Sequence, residues 1–162
     1  MIETISAIYE PYRFQIREAL SRVAAEELSE QCDFLWLAVN LQDGEGLPIK
    51  VYPCERNQQQ HDGWKYEDRL IDSVPDDVEL PEGFFGTLEA EEKFVTSLFE
   101  YIRGIWLEIG TDRLAYYSDW DGGTYYALSD GRAILAWDIE AEVTEIRQAE
   151  QTVPPKSDRA GG

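Results

Sequence analysis

The sequence predicts an α+β fold: an antiparallel sheet, made of a hairpin plus a C-terminal meander, packed against an N-terminal helix and a long central helix. Apolar residues at Phe94, Leu98, Ile102, Ile105 and Ile109 recur at the helical period. Short aromatic and aliphatic runs alternate with Asp-Gly pairs between Asp112 and Trp137, as strands and tight turns do. With 43% hydrophobic and 12% aromatic residues in 162 positions, the chain can close a core without cross-links. One domain is expected over residues 1–151, followed by a disordered tail over 152–162.

Pro11 suits a first helical turn, where its missing N–H costs nothing. Ile16, Leu20, Val23, Ala24 and Leu28 then form an apolar stripe, so a helix is expected from Pro11 to Glu30. "DFLWLAVNL" (Asp33 to Leu41) is too short and too apolar for anything but a mostly buried strand. After the turn "QDGEG", "LPIKVYP" (Leu47 to Pro53) returns as its partner, with Pro48 marking an edge. "WKYEDRLI" reads equally as strand or short helix, and "DSVPDDVELPEG" as an acidic, proline-punctuated loop with no periodicity to bury.

Thr87 is placed to cap the central helix, with Glu89, Glu91 and Glu92 at its positive end. Gly110 is its expected terminator, and Gly104 is a possible break costing ~1 kcal/mol against alanine. "DRLAYYS", "TYYAL" and "RAILAW" form the meander. In "DIEAEVTEIRQAEQ", Ile139, Val143 and Ile146 suit a helix behind Asp138, while Ile139, Ala141 and Val143 suit a strand; both readings stand.

Charge is the most unusual property. There are 33 acidic and 14 basic residues, a formal net charge of −19. Such a field repels nucleic acid and anionic membranes and draws basic proteins or cations in faster. Solubility, or life in a salty cytoplasm, would also account for it. The start "MIETISAIYEPYRF" shows neither the basic nor the apolar segment of a secretory signal, and no apolar run nears the ~20 residues of a membrane helix. A cytoplasmic location is expected. Cys32 and Cys54, at the outer ends of the predicted hairpin strands, are too few for a disulfide framework or a structural zinc site and are expected as free thiols, facing each other.

"SDWDGGTYYALSDG" (Ser118 to Gly131) looks more like an active site than any other stretch. As a calcium loop beginning at Asp119, it puts Asp121 third and Asp130 twelfth, but Gly123 fifth and Thr124 sixth, against the required order. "DWDGGT" resembles, over six residues, the Asp-x-Asp-Gly-Thr signature of haloacid dehalogenase-type phosphatases. That family needs a long α/β domain after the motif, and only about forty residues remain. His61, the single histidine, lies in a polar loop with no nucleophile context. No catalytic residue, metal ligand or cofactor is therefore assigned.

The same stretch offers Trp120 between Asp119 and Asp121 at a hairpin tip. A second segment repeats the theme, with Trp64 and Tyr66 beside Glu67, Asp68, Asp72, Asp76, Asp77, Glu79 and Glu82. Aromatic anchors ringed by carboxylates are the composition expected where a protein grips a basic partner. The order of helix, hairpin, acidic loop, long helix and meander, over about 140 residues, resembles the immunity proteins of bacterial polymorphic toxin systems. The resemblance implies a small acidic inhibitor of a cognate toxin, such as a nuclease with a basic groove. Two alternatives remain: a DNA mimic occupying a DNA-binding enzyme, and a small metal-assisted hydrolase built on Asp119, Asp121 and Asp130.

Overall fold

The computed structural model describes residues 2–28, 30–41, 46–56 and 69–152. The predicted tail beyond Thr152, His61, and the site candidates Trp64, Tyr66, Glu67 and Asp68 lie outside the described residues.

Two short helices open the chain, where one was expected. α1 (Ile2–Tyr9) is followed by a 3₁₀ turn (Glu10–Tyr12) carrying Pro11, then by α2 (Arg13–Ala25). α1 buries Ile5 and Tyr9, while α2 buries Ile16, Leu20 and Val23. α2 stops at Ala25 rather than near Glu30, because Glu26 turns to extended backbone. The hairpin follows as β1 (Phe34–Val39) and β2 (Ile49–Cys54), paired antiparallel with Trp36 opposite Tyr52.

Of the ambiguous segment, the described end forms a one-turn helix, α3 (Arg69–Asp72). The acidic loop after it is anchored rather than free. Val74 and Phe84 are buried, and Val78 and Leu80 pack on the same core.

α4 (Leu88–Ile109) is continuous through Gly104. The Thr87 side chain accepts the Ala90 N–H at 3.1 Å, and Gly110 ends the helix at φ 74°. Both ends therefore fall where the capping residues put them.

The meander is β3 (Ala115–Asp119), β4 (Thr124–Ala127) and β5 (Ala133–Leu135), antiparallel throughout. Sheet order is β2-β1-β3-β4-β5. The hairpin and meander meet through a parallel pair, with Trp36 beside Tyr116. The sheet is thus mixed, a departure from the all-antiparallel expectation. Its physical reason is the long connection through α3 and α4, which frees β3 from pairing with its predecessor β2 and lets it lie parallel beside β1.

Period-2 alternation divides the core into two layers. Leu35, Leu37, Val39, Val51 and Tyr117 face α1, α2 and α4. Phe34, Trp36, Ala38, Tyr116 and Tyr125 face the opposite side. There α5 (Ile139–Thr152) covers part of the sheet through Ile139 and Val143, settling the C-terminal segment as a helix. Polar latches fasten it. Glu142 accepts from Tyr116 Oη and Arg132, and Asp33 receives Arg147 as well as the Arg56 backbone N–H.

Candidate functional site

The half of the second sheet face away from α5 carries a cluster of four aromatic rings. Trp36 on β1 has Tyr52 as its direct neighbour on β2. One step along, Ala38 and Ser118 lie side by side, and both side chains are small. The resulting trough lets the Trp36 indole lean across β3 and stack on Tyr125 of β4, with ring centroids 5.9 Å apart and planes within 10°. Its Nε1–H donates to Ser118 Oγ at 2.8 Å, so the indole is satisfied although only 8% exposed.

Trp120 closes the trough. Its backbone N–H donates to Val39 O at 2.8 Å, carrying the β1–β3 ladder one residue past the strand. Its indole stacks on Trp36 at 5.2 Å and 20°, and leans on Tyr52 at 5.6 Å. It nevertheless stays 39% exposed, so it is at once a packing residue and a surface residue. Trp120 and Asp121 are the central residues of a turn closed by the Gly122 N–H on Asp119 O.

Alternation sends Asp119 the other way. It lines a cleft of about 610 Å³ with Glu89, Glu92 and Lys93 of α4 and with Gly122 and Tyr126. Burial, and after it the Asp121 and Glu91 carboxylates, hold the Asp119 carboxyl above its ordinary range, against hydrogen bonds from the Trp120 and Asp121 N–H groups.

One residue that sequence reasoning missed belongs here. The Ala136 N–H donates to Gly123 O at 2.8 Å, drawing the 3₁₀ turn Ala136–Asp138 beside the β3–β4 turn. That turn carries Trp137, 74% exposed, next to the exposed Leu135 and Asp138. "AWD" repeats the aromatic-acid pairing of "DWD", and that repetition was the available signal.

The predicted surface is otherwise divided. Asp72, Asp76, Asp77, Glu79 and Glu82 are all exposed. Their loop, however, packs on the helix side of the sheet, whereas Trp120 stacks on the opposite face. The two acidic segments therefore belong to different faces.

The proposed metal cluster of Asp119, Asp121 and Asp130 does not assemble. Asp119 and Asp121 lie at the β3–β4 turn and Asp130 at the β4–β5 turn, with all of β4 between them. Four strand residues span ~13 Å, far beyond shared coordination. Asp130 instead accepts the Arg132 backbone N–H at 3.0 Å. Among the described residues, no group of three or more His, Cys, Asp or Glu side chains could hold a metal ion. Nor, among them, is any helix long and apolar enough to cross a membrane. Compared with known proteins, the chain matches no family model, no curated protein and no solved structure.

Proposed function

We propose that this protein is an acidic binding module of the bacterial cytoplasm that inhibits a basic protein partner, acting as an immunity protein that neutralises a cognate toxin by direct binding. The observation that carries the reading is the placement of Trp120. A large apolar ring is held in one orientation by stacking on Trp36, left partly exposed, and flanked in sequence by two exposed aspartates. Rigid aromatic anchors lose little conformational freedom on binding, and hot spots are enriched in them. The formal net charge of −19 supplies the steering field. The DNA-mimic alternative calls for carboxylates in rows along one face. Here the acids next to the exposed rings sit on turns, at Asp121 and Asp138, which favours a protein partner.

Co-expression with the product of the adjacent open reading frame tests this reading. Protection of the cells, and a complex whose association slows steeply with added salt, are expected. Trp120→Ala should weaken the complex by ~2 kcal/mol or more. Failure to protect, or association indifferent to salt, would remove the proposal.

A further inference from the structure

The aromatic cluster also indicates which basic side chain the partner presents. An aromatic cage for an alkylated ammonium group needs rings held apart around an empty centre. Here Trp36 is already stacked on both sides, by Trp120 at 5.2 Å and Tyr125 at 5.9 Å, with Tyr52 at 5.6 Å. The interior is filled. What remains for a ligand is the exposed part of Trp120, on a turn that the Ala136–Gly123 hydrogen bond sets beside the turn carrying the exposed Trp137. Acids accompany both rings: Asp121 shares the turn of Trp120, and Asp138 follows Trp137, both exposed.

A flat, exposed indole beside a carboxylate matches a guanidinium better than an ammonium. The planar guanidinium stacks on a ring face while its edge N–H groups meet a carboxylate in a two-point contact. An ammonium is a strongly hydrated point charge with no plane to stack. We infer that the exposed Trp120–Asp121 turn is a docking surface for an arginine side chain of the partner, stacked on the Trp120 indole and paired with Asp121. This rests on the basic-partner reading above and narrows it from positive charge in general to arginine.

Three short peptides of the same length serve as probes, alternating glycine with arginine, lysine or citrulline. Each is titrated into the full chain at physiological ionic strength, following the indole N–H signals of the five tryptophans by NMR. The arginine peptide should bind about threefold or more tighter than the lysine peptide, with the Trp120 signal moving most. Citrulline, planar but uncharged, should bind far more weakly than arginine. Trp120→Ala and Asp121→Asn should each erase the preference for arginine over lysine, and Trp120→Phe should keep part of it.

Equal affinity for arginine and lysine peptides, both weakened by Trp120→Ala, would overturn the arginine assignment and leave the basic-partner reading in place. An arginine preference that survives Trp120→Ala would also overturn it, by placing the contact elsewhere. If neither cationic peptide moves the Trp120 signal, the inference falls and the basic-partner reading loses its site. A circular dichroism spectrum and unfolding midpoint for each variant separate lost binding from lost fold.

Discussion

The indole N–H of Trp36 donates to the hydroxyl of Ser118 across 2.8 Å, joining residues 82 positions apart on neighbouring parallel strands. Ser118 is fully buried, and it is one of only two buried polar residues among those described. Its size opens the trough in which Trp36, Trp120 and Tyr125 stack, and its oxygen satisfies the indole that fills it. One small polar residue thus organises the aromatic face that presents Trp120.

Ser118→Ala keeps the trough but strands the Trp36 N–H. A buried donor left without a partner costs ~1–3 kcal/mol. The unfolding midpoint in urea should fall by the corresponding amount, with little change in the slope of the transition. Ser118→Val should be worse, because two added methyls enter the space the indole occupies. An unaltered midpoint in Ser118→Ala would mean that the indole finds another acceptor.

Gly46 is the second position where side-chain size is limiting. Its φ is 64°, and a Cβ there would lie 2.8 Å from the Pro75 carbonyl oxygen, a backbone atom of the loop that follows α3. Its own carbonyl accepts the buried Tyr9 hydroxyl at 2.8 Å. Left-handed backbone costs a non-glycine residue ~1–2 kcal/mol, and here a close contact adds to that cost. Gly46→Ala should therefore lower stability by about 2 kcal/mol or more, read from equilibrium unfolding. Gly104→Ala is the matching control. A Cβ there meets nothing within 4 Å, and an exposed helix interior gains ~1 kcal/mol from alanine.

The elements that sequence reasoning placed well are those whose signals are local. Thr87 and Gly110 bound α4 because a hydroxyl cap and a left-handed glycine act on adjacent backbone groups. The Asp-Gly turns likewise separate the strands of the meander. The parallel seam between β1 and β3 left no local trace, since register between strands some 80 residues apart depends on how α3 and α4 route the chain. α1 was passed over because Ile2, Ile5 and Tyr9 cover barely two turns, too few to stand out as a period. For the site, Trp120 was legible as an aromatic between two acids, whereas its stacking on Trp36 and the arrival of Trp137 through Gly123 are tertiary. Asp130 was assigned to a metal cluster by counting along the chain, and β4 carries it away.

The two thiols should differ sharply in reactivity. Cys54 is buried, and burial together with the nearby Cys32 sulfur pushes its thiol up to about 12. Cys32 is only partly buried, and its smaller upward shift comes from burial first and then from the Glu55 and Asp33 carboxylates. The thiolate is the reactive form, so at mildly alkaline pH Cys54 should resist alkylation while Cys32 reacts slowly. Mass spectrometry after iodoacetamide should show a single modification in native buffer and two in denaturant. Prompt double labelling of the native chain would contradict the burial of Cys54.

Asp119 supplies a pH-dependent test with a defined sign. Its carboxyl titrates above the ordinary 3.8 in the folded chain, chiefly through burial and then through the Asp121 and Glu91 charges. An acid raised in this way holds more protons folded than unfolded across the window from 3.8 up to its folded value. Its ionisation therefore lowers stability as pH rises through that window, and protonation restores it as pH falls. Below 3.8 the group is protonated in both states and makes no difference. Asp119→Asn removes the charge at nearly the same volume and retains an oxygen acceptor. The variant should be the more stable protein at neutral pH, and its advantage should shrink toward nothing as pH falls to the ordinary carboxylate range. Paired thermal unfolding curves at matched ionic strength measure this difference directly and cancel the background from the other acidic groups. A variant less stable than the parent at neutral pH would show that the ionised carboxylate is held by favourable contacts, reversing the assignment of burial as the dominant effect.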